Sequence, residues 1–196
     1  MRIIAGKYKN RDIAAPPGKA TRPVLSRVRK AIFDTAAPVV EGGRILDLFA
    51  GSGGFVIEAL SRGAAAAVAI DLDAGAVKAI RGNLAKCGVR EPVEVYKNDA
   101  FDAIGKLAAR GQRFELISVA PPYWKGLQAR ALLALDAADL LAPGGLLFVQ
   151  RDAKEDVTLE QPLTRLALAK QKVYGNTIVD WYGGPVSEVP DTVEES

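Results

Sequence analysis

Residues 45–54 read Ile-Leu-Asp-Leu-Phe-Ala-Gly-Ser-Gly-Gly. Residues 45–49 form a short, mainly apolar run, the pattern of a buried strand, and a helical pattern follows over 55–61. Gly51 and Gly53 stand at the sharp turn between them. Without a Cβ they accept positive φ and let another molecule approach the backbone closely.

Outward from this stretch, strand and helix alternate. Strands are predicted at 66–70, 93–96, 114–119 and 146–150. Helices are predicted at 74–86 (ended by Gly88), 101–109 and 127–141 (stopped by Pro143-Gly144-Gly145). Strands this apolar belong to a parallel sheet covered on both faces. Gly175-Asn176 lies between the runs 166–174 and 177–182, a strong hairpin signal. The expected fold is α/β and Rossmann-like: a mostly parallel seven-stranded sheet, helices on both faces and an antiparallel C-terminal hairpin.

Upstream, residues 2–5 and 11–14 flank a turn-like 6–10, a small hairpin. Pro16-Pro17-Gly18 breaks the chain. Pro23 suits the first turn of a helix that places Val24, Val28, Ala31 and Ile32 on one face and Arg27, Arg29 and Lys30 on the other. Pro38 and Gly42-Gly43 are expected to end this extension. The organisation expected is a basic N-terminal extension (1–42), a main domain (43–186) and an acidic tail (187–196).

The 196 residues are 49% hydrophobic and 25% charged, enough for a full core. The run 64–70 is far too short to cross a bilayer, and the amino terminus has no apolar stretch of a signal peptide. With one cysteine, Cys87, no internal disulfide forms, which fits a reducing cytoplasm, and a packing role is expected for it. The absence of histidine excludes His-based triads, His general bases and histidine zinc sites. Residues 1–30 hold nine bases against Asp12 alone, whereas the other 166 residues hold 17 bases and 22 acids. A basic segment on a mildly acidic body is suited to a polyanion. Ile3, Ile4, Ile13, Val24, Val28, Ile32 and Phe33 interleave with those bases, so the segment is expected to be folded.

Three aspartates end three consecutive strands. Asp47 precedes the glycine loop, where a carboxylate repels a pyrophosphate and attracts an ammonium. Asp71 is placed to bond ribose hydroxyls, and Asp99 to accept from an adenine amino group. Val56 stands where a dinucleotide fingerprint needs its third glycine, which weakens the nicotinamide reading. Singly, each Asp suits a cap or turn. Together they describe S-adenosyl-L-methionine, with Phe49, Gly51, Gly53, Leu72 and Ala100 alongside Asp47, Asp71 and Asp99 as its expected binding residues. Ala120-Pro121-Pro122-Tyr123 ends the run 114–119, where the same crevice should take the methyl acceptor. Trp124 and Trp181 are expected in the core or at the rim.

On these residues the chain resembles the class I methyltransferases. More narrowly it resembles the ribosomal small-subunit methyltransferase D family, through Ala15-Pro-Pro-Gly18, Thr21-Arg-Pro23, Arg27-Val-Arg29, Asp47-Leu-Phe-Ala-Gly-Ser-Gly53 and Glu58-Ala-Leu-Ser-Arg-Gly63. The resemblance implies a cytoplasmic enzyme that methylates the exocyclic N2 of a guanine in 16S rRNA. Its implied partner is 16S rRNA or the small ribosomal subunit. No membrane association, no metal and a monomeric state are expected. The family carries Asp before Pro-Pro-Tyr, which accepts a hydrogen bond from the target amino group, and this chain has Ala120. Backbone carbonyls of Ala120 and Pro121 then remain as acceptors, and Tyr123 can stack on the base. Ser118 is expected on the opposite side of the strand and therefore as no substitute. Arg2, Lys7, Lys9, Arg11, Arg22, Arg27 and Arg29 are the expected RNA contacts. The alternatives are an amino-methyltransferase acting on DNA or another RNA, and a weak or inactive binder of cofactor and RNA.

Overall fold

A computed structural model of the chain describes residues 1–16 and 26–184. Arg22, the predicted helix start at Pro23 and the acidic tail lie outside the described residues. The elements, in chain order, are α1 (Ser26–Val40), β1 (Arg44–Asp47), α2 (Gly54–Ser61), β2 (Ala66–Asp71), α3 (Ala74–Cys87), β3 (Val93–Lys97), α4 (Ala100–Ala109), β4 (Phe114–Val119), α5 (Leu127–Ala138), β5 (Leu141–Asp152), β6 (Ala167–Tyr174) and β7 (Thr177–Gly183). They build one seven-stranded sheet of order β3-β2-β1-β4-β5-β7-β6. The first five strands run parallel, and β7 pairs antiparallel with both β5 and β6. From β1 the chain winds outward first through β2 and β3, then through β4 and β5. The crevice at the carboxyl ends of β1 and β4 is therefore the topological switch point.

Alternation along the strands divides the core in two. Ile45, Leu116, Leu146, Phe148, Val179 and Trp181 face the layer that includes α1 and α2. Leu46, Val68, Ile117, Leu147 and Val149 face the layer that includes α4 and α5. Both faces are dry, which explains strands that read as continuous apolar runs. An aromatic chain stitches the first layer: Phe33 stacks on Phe55 at 4.8 Å, Phe55 meets Phe148 at 5.2 Å, and Phe148 meets Trp181 at 5.4 Å. Trp181 is core, as expected, whereas Trp124 is 62% exposed.

Residues 1–16 fold as a small antiparallel hairpin with an Arg2–Asp12 bridge. It is pinned to the end of α2. Glu58, wholly buried, accepts from the Ile4 amide at 2.7 Å and the Ala5 amide at 3.0 Å. Its other partners are Arg62 at 3.1 Å and the buried Arg29 at 3.7 Å. The Lys7 amide donates to the Ser61 carbonyl, and the Tyr8 amide to the Ser61 hydroxyl, each at 2.8 Å. Gly6 turns there with φ +77°, and a Cβ would stand 1.7 Å from the Ser61 oxygen. Only glycine fits this contact. Ile3, Tyr8 and Ile13 consequently share a core with the sheet.

α1 runs through Pro38 and ends at Val40, ahead of Gly42-Gly43. Pro38 and Asp34, whose carbonyl loses its usual amide partner, are both exposed, which lowers the cost of the missing bond. One boundary differs from the sequence expectation, after α5, which stops at Ala138. β5 begins at Leu141 and passes through Pro143-Gly144-Gly145. Leu141 pairs with Phe114 and the register then shifts, so that Leu146 pairs with Leu116. The turn residues are absorbed as an irregularity within the strand rather than as its boundary.

Candidate active site

Register places the site. Asp47 ends β1 beside Ser118 on β4, which pairs with Phe148 on β5. One step beyond Val119–Val149 come Ala120 and Gln150. Asp47, Ser118, Ala120, Phe148 and Gln150 all line one cleft of about 470 Å³. Met1, Ala15, Pro16, Ser26 and Arg29 form its opposite wall, so the N-terminal segment completes the pocket. Ser118 and Ala120 therefore share a face, contrary to the sequence expectation. Residues two apart in an extended strand point the same way.

Asp47 is the electrostatic centre of this cleft. It is 3% exposed and its Oδ1 has no hydrogen-bond partner. Burial pushes its carboxyl up to about 7, hydrogen bonds from Ser118 and the Phe49 amide pull it back in part, and the charge of Asp71 adds to the rise. A buried carboxylate with an orphaned oxygen is a receptor for a cation. The loop after it is open: Gly51 has φ +54°, and a Cβ there would meet nothing within 4 Å. Gly53, at φ +74°, packs against Ile80 and caps α2.

The other expected cofactor residues lie at the neighbouring strand ends, outside the cleft lining. Asp71 organises the loop, accepting from the Gly51 amide at 2.8 Å and the Asp73 amide at 2.9 Å. Leu72 follows it, 65% exposed. Asp99 caps α4 with Oδ1, accepting from the Phe101 amide at 2.8 Å and the Asp102 amide at 3.3 Å. Ala100 is buried behind it. Asp99 is thus the cap its residue type favours, with both bonds going to one oxygen.

Pro121, Pro122 and Tyr123 lead from β4 toward α5. Three residues that sequence reading passed over hold this region and the glycine loop. Glu155, 5% exposed, accepts from the Trp124 amide at 2.7 Å and the Gln128 side chain at 2.8 Å. Those bonds hold Trp124 at φ +63°. Gln150 donates to the Tyr123 hydroxyl at 2.7 Å. Asn83 on α3 donates to the Ser52 carbonyl at 2.8 Å and clasps the Ala14 backbone in both directions at 2.9 Å, tying the glycine loop to the hairpin. A polar residue in an apolar pattern marked Gln150 and Asn83, and nothing in its charged surroundings marked Glu155.

The basic residues separate by environment. Arg2 pairs with Asp12 at 3.0 Å and Lys7 with Glu91 at 2.8 Å. Arg11 donates to the Cys87 carbonyl and lies 5.5 Å from the Tyr8 ring centre. Lys9 and Arg27 are exposed. Arg29 is not on the exposed face predicted for it. It is 3% exposed and held by Met1 Sδ, the Arg2 carbonyl and Glu58. Burial lowers its pKa, Glu58 opposing. The hairpin and Glu58 of α2 cover this position of α1, so it is buried rather than exposed.

The strand order, the glycine loop and the cleft at the switch point define a Rossmann-like architecture of the kind found in a solved Escherichia coli protein provisionally named a methyltransferase (TM-score 0.77, 28% identity, over 97% of this chain and 99% of that one). The chain belongs to the family described as Conserved hypothetical protein 95, which matches residues 1–183. It is 38% identical over 183 residues to YlbH of Bacillus subtilis (strain 168), provisionally named an rRNA methyltransferase, covering 93% of this chain and 98% of that one. It is 31% identical over 182 residues to ribosomal RNA small subunit methyltransferase D of Escherichia coli (strain K12), covering 93% and 89%. A hypothetical protein of Thermus thermophilus superimposes with a TM-score of 0.79 at 30% identity, over 96% of this chain and 99% of that one. The fold alone is shared, at TM-score 0.63 and 20% identity over 89% and 97%, with an RNA methyltransferase of Salinibacter ruber solved with S-adenosyl-L-homocysteine.

Proposed function

We propose that this chain methylates the exocyclic N2 of a guanine in 16S rRNA with S-adenosyl-L-methionine as donor. The observation that carries this reading is that Asp47 and Ala120, on adjacent parallel strands, open into one cleft. The first suits the cationic amino-acid end of the donor, and the second ends the strand leading into Pro-Pro-Tyr. When bound, the donor supplies an electrophilic methyl group. Asp47 would hold its ammonium, the open loop at Gly51 would let it lie against the backbone, and Asp71 and Asp99, at the successive strand ends, would take ribose and adenine. Leu72 offers an exposed apolar surface for the ring. Much of the acceleration then comes from holding donor and acceptor in line, where effective molarities are large. Tyr123 supplies a ring for the guanine to stack on. The exposed cations Lys9 and Arg27 supply phosphate contacts.

Incubation with labelled donor and small subunits lacking the modification tests this. Label is expected on one guanine N2 of 16S rRNA. No label at high enzyme concentration refutes the reading, and label on duplex DNA or other RNA in preference to the subunit moves the substrate class.

A further inference from the structure

We infer that Gln150 is the side-chain acceptor for the target amino group, standing in from β5 for the carboxylate absent at Ala120. The inference rests on the amino-methylation reading above. The register step after Val119–Val149 sets Gln150 beside Ala120 on adjacent parallel strands, with both residues lining the cleft. Such strands are about 4.8 Å apart and their register partners point to the same face. A glutamine at 150 reaches over the small Ala120 toward the space that a side chain at 120 would occupy.

Its hydrogen bonding is half complete. The Gln150 side-chain nitrogen donates to the Tyr123 hydroxyl at 2.7 Å, whereas Oε1 has no partner on a residue that is only 7% exposed. A buried carbonyl oxygen left unpaired is costly, and on a residue that lines a cleft a turn of the side chain lets a donor on the ligand satisfy it. The terminal torsion of a glutamine is soft, so Oε1 turns toward a donor at small cost. The amino group of a base is a donor of that kind. One N–H hydrogen-bonded to Oε1 orients the nitrogen. Its lone pair then bonds the methyl carbon as the carbon–sulfur bond breaks and that electron pair stays on sulfur. An amide is too weak a base to keep a proton, so the proton of the methylated nitrogen leaves to water. The bond from the glutamine nitrogen to Tyr123 couples this acceptor to the ring on which the base stacks.

The test compares the intact chain with Gln150→Leu, Gln150→Glu, Tyr123→Phe and the double variant Ala120→Asp/Gln150→Leu. Each is assayed on unmodified small subunits, with cofactor affinity by calorimetry as the check on folding. Gln150→Leu is expected to lower kcat by about 10²-fold, the scale of one preorganised polar contact, with cofactor affinity within about twofold. Gln150→Glu, which keeps an acceptor oxygen, should lose less. Adding Ala120→Asp to the Gln150→Leu variant should restore at least about tenfold, because it returns an acceptor from β4. The inference is overturned if Gln150→Leu stays within about threefold of the intact chain. It is equally overturned if Tyr123→Phe reproduces the loss and Ala120→Asp relieves none of it, since Gln150 would then act only by holding Tyr123. No methylation of guanine by the intact chain refutes the underlying reading and the inference with it, and the intact-chain reaction alone reveals that outcome.

Discussion

Asp47 and Ser118 are register partners on parallel strands, and the Ser118 side chain partly offsets the burial that pushes the Asp47 carboxyl up to about 7. The pair joins Asp47 to the strand that leads through Ala120 into Pro121-Pro122-Tyr123, within one cleft.

The raised pKa has a definite sign. Without ligand, the folded chain keeps the Asp47 proton between the ordinary value of 3.8 and about 7, whereas the unfolded chain releases it. Asp47 therefore contributes a loss of stability as pH rises through that window. An ammonium ligand needs the charged form, so cofactor affinity should rise with pH up to about 7 and then level. Calorimetry across pH 5.5–8 in buffers of differing ionisation enthalpy should detect proton release below about pH 7. Asp47→Asn should flatten the profile, weaken the cofactor at least about tenfold, and make the ligand-free chain more stable than the parent above pH 7.

Ala120→Asp in the otherwise intact chain should speed methylation, by up to about tenfold, with little change in cofactor affinity. Single-turnover kinetics on unmodified subunits measures it. An unchanged or lower rate means that the acceptor base lies differently from its pose in relatives carrying Asp.

Glu58 holds the hairpin to the body. Glu58→Leu strips the Ile4 and Ala5 amides of their acceptor and leaves the buried Arg29 without its counter-charge. The expected loss is about 3–5 kcal/mol by urea denaturation, the usual cost of breaking a buried pair. Since Met1 and Arg29 line the cleft, cofactor affinity should fall with it.

Lys9→Ala and Arg27→Ala should each weaken binding to small-subunit RNA, and each should lower the slope of log affinity against log salt by about 1. Arg29→Ala should instead destabilise the fold. Filter binding between 50 and 200 mM salt, beside denaturation of the same proteins, separates the two effects.

The strands, the helices and the glycine loop were legible in the sequence because they follow from local rules. Apolar periodicity, positive-φ glycines and Gly175-Asn176 each act within a few residues. The three aspartates at strand ends were legible for the same reason. The end of α5 was misread, because a register shift opposite Phe114 depends on what lies outside the local chain. Tertiary structure alone decided the rest. Pairing across β1, β4 and β5 put Ser118 and Gln150 beside Ala120, and packing on α2 turned Arg29 from a surface cation into part of the cleft wall. Strand register and helix packing join residues dozens of positions apart, and no spacing within the linear chain encodes that distance.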